Sequence, residues 1–177
     1  GYCYVQLKEF AKAQSVFKDL KNEDSRYKLS AAYYYAYSEY SLGNYDAALP
    51  EFLNIETNPA YQDIVPYYIV QIYYIKKDYD KLNNRAEQLL QNNPNNKNNS
   101  EIYRIAGEMA YRKRDYKKAI DHLKNYEKLS SQVLRNDMYL IGLSYSQSND
   151  FSQAVKYLSK CTTGSDEMAE NAYLHLG

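Results

Sequence analysis

The sequence predicts an all-α protein made of repeated helix pairs, and three observations carry that expectation. Helix breakers are scarce, with 6 glycines and 4 prolines in 177 residues, so few points interrupt a helical run. Five segments stand in register, each opening on an aromatic residue after a polar turn: Phe10, Tyr45, Tyr79, Tyr116 and Phe151, at intervals of 35, 34, 37 and 35 residues. Apolar residues then recur three, seven and ten positions after each aromatic, the spacing of a single helical stripe.

The elements follow in order from this register. In the first repeat, "LKEFAKAQSVFKDL" places Ala13, Phe17 and Leu20 on the stripe behind Phe10. In the second, Ala48, Phe52 and Ile55 follow Tyr45; in the third, Leu82, Ala86 and Leu89 follow Tyr79. The fourth carries Ala119, Leu123 and Tyr126 behind Tyr116, and the fifth Ala154, Leu158 and Cys161 behind Phe151. Each aromatic therefore opens an amphipathic helix. Nine residues before the five aromatics stand Gly1, Ala36, Val70, Gly107 and Gly142. Small residues there let a preceding helix approach its partner closely. The repeating unit is helix, short turn, helix, with boundaries near 1–24, 25–60, 61–97, 98–131 and 132–166, and a partial sixth at 167–177. Gly1 and Gly177 share one phase of the repeat, so a single array that continues beyond both ends is expected.

One segment departs from the rhythm. "NNPNNKNN", residues 92–99, accounts for the 37-residue interval. Asparagine favours turns and caps, so a longer surface loop is expected, with Asn99 or Ser100 capping the next helix. Asn98-Asn99-Ser100 fits a glycosylation acceptor, a match expected by chance in so Asn-rich a loop.

On these residues the whole chain resembles the tetratricopeptide repeat family. The matching elements are Gly-x-x-Tyr in the first helices ("GYCY", "GLSY"), the aromatic anchor, the alanine three residues on, the large residue at plus seven, and Pro94 after the third repeat. Departures are the lack of tryptophan, Val70 in place of a small residue, and Leu82 with Ala86 in exchanged size order. The resemblance implies a right-handed α-solenoid of stacked antiparallel helix pairs, with no cofactor and no metal. It also implies that first helices line a concave face where peptides bind.

The inward positions in such a repeat fall about 12, 8 and 5 residues before each anchor. They are Tyr2 and Val5 in repeat one; Tyr33, Tyr37 and Tyr40 in repeat two; and Tyr67, Gln71 and Tyr74 in repeat three. Repeat four supplies Arg104, Glu108 and Tyr111, and repeat five Tyr139, Leu143 and Ser146. The stretch "YYYAYSEY", residues 33–40, is thus expected to be mainly a partly accessible surface. Tyr35 falls on the packing side, where burial is expected, and Tyr34 lies between. Tyrosine offers large, stiff, amphipathic contact area at low entropy cost. The leading expectation is a non-catalytic scaffold binding an extended or helical protein segment. A glycan- or cell-wall-binding module, and a purely structural or self-associating array, are the alternatives. The lysine and asparagine pair with which some members of the family clamp a C-terminal carboxylate is missing from these positions, which disfavours a chaperone-tail receptor.

Other chemistry finds little support. With 22 basic and 22 acidic residues the net charge is zero, against nucleic-acid binding through a general positive field. No apolar run approaches a membrane span. Two cysteines do not make a disulfide scaffold. Cys161 sits on the core stripe, and Cys3, about four repeats away, is not expected to meet it. "GLSYS", residues 142–146, superficially suggests a nucleophile elbow, but it lies inside a helix and its glycine is the packing glycine. His122 and His175 show no metal spacing. Residues 101–135 hold nine basic and five acidic side chains. Their cluster "YRKRDYKK" can attract an acidic partner, but a self-neutralised surface is the simpler expectation, because Arg104, Glu108 and Arg112 stand at i, i+4 and i+8.

Overall fold

A computed structural model describes residues 1–92, 94, 96 and 98–176. Every regular element among them is helical: α1 (Tyr2–Gln6), α2 (Phe10–Leu20), α3 (Lys28–Ser41), α4 (Tyr45–Ile55), α5 (Val65–Ile75), α6 (Tyr79–Asn92), α7 (Asn99–Arg112), α8 (Tyr116–Leu129), α9 (Arg135–Gln147), α10 (Phe151–Leu158) and α11 (Glu167–Leu176), with a 3-10 turn at Ser159–Cys161 after α10. The chain divides into two compact units, residues 1–78 and 79–177.

All five anchors are the first residues of their helices, and the reason lies in the turn before each. Lys8, Gly43, Lys77, Arg114 and Asn149, each two residues before its anchor, have φ of 57°, 81°, 57°, 62° and 65°. A left-handed residue after a helix turns the chain so that its amides reach back to the last carbonyls. In the first turn Glu9 N–H donates to Tyr4 O at 2.8 Å and Lys8 N–H to Val5 O at 3.0 Å. The same pair recurs as Asn44 to Glu39 and Gly43 to Tyr40, Asp78 to Tyr73 and Lys77 to Tyr74, Asp115 to Ala110 and Arg114 to Tyr111, and Asp150 to Tyr145 and Asn149 to Ser146. The same Schellman turn therefore precedes all five anchors, and within each unit it sets the same reversal. The next residue starts the following helix at once, and the side chains of Asp115 and Asp150 cap α8 and α10 by accepting from the amides of Lys118 and Gln153.

In the first unit, α1 packs on α2, α3 on α2 and α4, and α5 on α4. Val5, Ala13, Phe17 and Ala31 form one core, with Leu20, Tyr34, Tyr35 and Tyr37 packed on it. Ala48 and Phe52 are wholly enclosed. In the second unit, α7 packs on α6 and α8, α9 on α8 and α10, and α11 on α10. Leu123, Ile141 and Tyr157 centre its core. The stripe positions are buried throughout except Leu20 and Leu89, which are half-covered; in α6 the buried leucine is Leu90, one place later.

The small residues at minus nine fit where they stand. A Cβ on Gly107 would meet Leu123 Cγ at 2.6 Å, and one on Gly142 would meet Leu158 Cγ at 2.7 Å. At Gly1 it would meet the Phe17 ring at 2.4 Å. Each glycine faces the large residue at plus seven of its own repeat. In the third repeat the sizes are inverted, as Val70 and Ala86, and both are buried.

One expectation needs correction. Helix α7 already includes Asn99 and Ser100, and the residue preceding it is Asn98. The expected loop at 92–99 falls in part on residues 93, 95 and 97, outside the described residues.

Candidate functional site

The tyrosines of the first unit form a connected set of rings. On α3, Tyr33 and Tyr37 are one turn apart and nearly parallel, with centroids 6.3 Å apart. Tyr33 also stacks on Tyr61 at 4.7 Å. Tyr37 meets Tyr68 edge-on at 5.7 Å and Phe10 at 5.8 Å. Tyr40 meets Tyr68 at 5.1 Å, and its hydroxyl donates to Gln71 Oε1 at 2.6 Å. That bond ties an inward position of the second repeat to one of the third, and Tyr67 and Tyr74 stand one turn to either side of Gln71 on α5. All five expected tyrosines, Tyr33, Tyr37, Tyr40, Tyr67 and Tyr74, are half-buried, and Tyr2 is 54% exposed.

Beside these rings lies an open cavity of about 410 Å³, lined by Tyr2, Val5, Gln6, Lys8, Phe10, Tyr33, Tyr34, Tyr37 and Tyr68. Burial pushes the Tyr33, Tyr34 and Tyr68 phenols above their ordinary range, and neighbouring phenols add to the effect. For Tyr67, burial and the nearby Asp63 carboxylate push the pKa up to about 12. These rings are neutral hydrogen-bond donors at any physiological pH.

Four tyrosines depart from expectation. Tyr35 is half-buried rather than enclosed. It packs on the first core, but over its ring at 4.9 Å stands the ammonium of Lys21, held by Glu51 at 2.6 Å, so its neighbour on that side is an ion pair and not apolar packing. Burial, together with a hydrogen bond to the Glu39 carboxylate, pushes its pKa up to about 12. Tyr34 belongs more to the packing than to the surface, stacked on Phe17 at 5.3 Å and edge-on to Tyr2 at 5.5 Å. Tyr61 and Tyr68 complete the ring set and were not among the expected residues. Tyr68 sits 11 residues before its anchor, the phase of Tyr34, which was the available signal. Tyr61 comes from the connection between α4 and α5, where helical phase says nothing.

Glu39 is the buried charge behind this face. Burial opposes its ionisation, but hydrogen bonds from Gln14, Asn44 and Tyr35 prevail, holding its carboxyl below the ordinary range. Gln14 Nε2 donates at 3.0 Å and Asn44 Nδ2 at 2.7 Å, so the group is a satisfied structural carboxylate.

In the second unit the equivalent positions carry charge. Arg104 grips Glu101 through two hydrogen bonds at 2.9 and 2.6 Å and lies 3.8 Å from Glu108, which accepts from Arg112 at 2.8 Å. Arg104 also stands 3.9 Å from Asp137, a buried carboxylate that accepts from Tyr126 at 2.7 Å. Tyr111 packs edge-on against Tyr116 at 5.6 Å, and Tyr139, Leu143 and Ser146 are half-buried.

The chemistry set aside from sequence has structural roles. Ser144 of "GLSYS" lies inside α9, is fully buried, and donates to Leu140 O at 2.7 Å. Cys161 is buried, Cys3 exposed, and both are free thiols. Among the described residues no group of His, Cys, Asp and Glu is placed to hold a metal, and no helix is long and apolar enough to cross a membrane.

Helix hairpins repeated at 34 to 37 residues, joined by identical left-handed turns and locked by a small residue against a large one, define an α-solenoid repeat protein. Residues 138–163 match the model of the tetratricopeptide repeat family. Solved structures show the same fold over nearly the whole chain. YrrB, described as a tetratricopeptide repeat protein with an unusual peptide-binding site, superposes with a TM-score of 0.75 at 13% identity, covering 98% of this chain and 88% of its own. A tetratricopeptide repeat protein from Parabacteroides merdae gives 0.75 at 12% identity, covering 99% and 70%. MamA from Desulfovibrio magneticus RS-1 gives 0.71 at 13% identity, covering 97% and 91%. No curated protein sequence matches the chain.

Proposed function

We propose that the chain is a non-catalytic scaffold whose tyrosine-lined face in residues 1–78 binds an extended or helical peptide segment. The observation that carries this reading is the half-covered ring set around the 410 Å³ cavity. Tyr33 and Tyr37 line that cavity, and all five expected inward tyrosines keep accessible surface, although burying them would stabilise the fold. YrrB, with the same fold, supports the reading through its described peptide site. The positions Arg104, Glu108, Tyr111, Tyr139 and Leu143 offer the second unit a more polar surface of its own.

The test is selection of binders from a random peptide library, followed by affinity and melting measurements on Tyr37→Ala/Tyr74→Ala and on Tyr35→Ala. Loss of the two inward rings should weaken the selected peptides by about 2 kcal/mol or more, the scale of an interface hot spot. The Tyr35 variant should lower the melting temperature and, while folded, still bind. Selected peptides that bind the double variant as well as the parent chain would refute the groove.

A further inference from the structure

Resting on that peptide-binding reading, we infer that the cavity takes an uncharged, proline-rich segment in the polyproline II conformation. The ring faces around it are largely occupied. Tyr33 stacks with Tyr61 at 4.7 Å and with Tyr37 at 6.3 Å, Tyr34 lies on Phe17 at 5.3 Å, and Tyr68 lies on Phe52 at 5.0 Å. Three of the lining rings, Tyr33, Tyr34 and Tyr68, therefore have a face taken by a neighbouring ring, which leaves their edges and hydroxyls as the larger part of what they can offer a ligand. A sugar needs an open face to stack on. A polyproline helix needs ridges with furrows between, and aromatic-lined grooves of that kind are its usual docking surface.

Charge and hydrogen-bonding capacity point the same way. Among the described residues that line the cavity, Lys8 is the only charged one, and it is exposed. With no carboxylate in the lining, a lysine or arginine of the partner would lose water and gain no counter-charge. An acidic partner would meet a single exposed ammonium, screened by solvent. The remaining polar groups are phenols and the Gln6 amide, a wall rich in donors. A polyproline helix has no internal hydrogen bonds and turns its carbonyls outward as acceptors. Each proline also removes an N–H that would otherwise need an acceptor from this wall. Burial keeps the Tyr33 and Tyr34 phenols protonated, so they remain donors.

Fluorescence anisotropy with labelled decaproline, a Gly-Ser peptide of equal length and a glutamate-rich peptide tests this, with a cello-oligosaccharide as competitor. Decaproline should bind about tenfold more tightly than either other peptide, with little change between low and high salt. Tyr2→Ala, at a largely exposed ring, should weaken it about tenfold. Tyr37→Phe, which keeps the ring and removes the hydroxyl, should weaken it severalfold at an unchanged melting temperature. Equal binding of the Gly-Ser or glutamate-rich peptide, displacement by the oligosaccharide, or indifference to both substitutions would overturn the inference. If library-selected peptides still depend on Tyr37 while decaproline does not bind, the proline preference falls and the groove stands. If no peptide of either kind depends on it, both fall.

Discussion

The two compact units use the same backbone device and clothe it differently. Residues 1–78 and 79–177 both reverse each hairpin through a left-handed residue two before the anchor, with the same two backbone hydrogen bonds. At the positions expected to face inward on the first helices, however, the first unit carries Tyr33, Tyr37 and Tyr40 in ring contact with Tyr61 and Tyr68. The second carries Arg104 and Glu108 in an ion-pair ladder with Glu101 and Arg112. The reversal and the small-to-large packing fix the fold, so the inward face is free to vary. A surface that contributes little to holding its helices together can be assigned to recognition. The tyrosine face meets that condition least completely, because its rings also brace one another.

The sharpest way to break the comparison is to remove the residue at plus seven in each unit. Phe52→Ala should cost about 3–5 kcal/mol and Leu123→Ala about 2–5 kcal/mol, since both side chains are fully enclosed. Their effects on binding should differ. Phe52 stacks on Tyr68 at 5.0 Å and meets Tyr40 at 6.5 Å, so its loss should loosen the tyrosine face and weaken selected peptides even where the chain remains folded. Leu123 packs against Gly107 in the second unit, and its loss should leave peptide affinity unchanged under folded conditions. Urea midpoints and peptide affinities on the two variants decide it. Equal loss of affinity in both would mean that the face is not the property of the first unit.

A smaller effect separates the units by pH. The chain's two histidines are His122 and His175, both in the second unit. His122 on α8 places Nε2 3.5 Å from Glu87 Oε1 on α6, and Lys118 reaches the same oxygen at 2.7 Å. The Tyr103 ring of α7 lies 5.9 Å away. Burial depresses the His122 pKa below its ordinary 6.5, opposed by Glu87 and Asp121 and reinforced by Lys118. The unfolded chain therefore takes up the proton first. Stability from this group is complete above pH 6.5 and is lost as pH falls from there through the lower folded value. Urea midpoints between neutral and mildly acid pH should fall, and His122→Gln should flatten the dependence. The same slope in His122→Gln would place the sensing group elsewhere.

What was legible in the sequence is what periodicity encodes. Anchor, stripe and small-residue phases follow from 3.6-residue geometry, and Phe10, Tyr45, Tyr79, Tyr116 and Phe151 do open their helices. Side-chain reach is not periodic. Tyr35 falls at a packing phase yet stays half-buried, because the ammonium over its ring comes from Lys21, just past the end of α2. Tyr61 enters the ring set from a connection, and in α6 the stripe runs Leu82, Ala86, Leu90, a spacing of four that bypasses Leu89. The five left-handed turns were the largest feature not foreseen. Their positions read Lys8, Gly43, Lys77, Arg114 and Asn149, and only glycine and asparagine announce such a backbone.

Those turns give the smallest and cleanest comparison. A left-handed residue with a Cβ is strained by about 1–2 kcal/mol. Glycine removes that strain but loses about 0.5–1 kcal/mol more backbone entropy on folding. Arg114→Gly in the second unit should therefore stabilise by about 0.5 kcal/mol, the difference between these opposing effects. Asn149→Gly should gain less, because asparagine tolerates this conformation. Gly43→Ala in the first unit should run the other way, by a similar amount. A Cβ at Gly43 meets nothing within 4 Å, so any loss there is backbone strain and not a clash. Urea midpoints for the three variants should rise, rise slightly and fall, in that order. If Gly43→Ala were neutral while Arg114→Gly still stabilised, the two units would not share one turn energetically, however alike their φ angles.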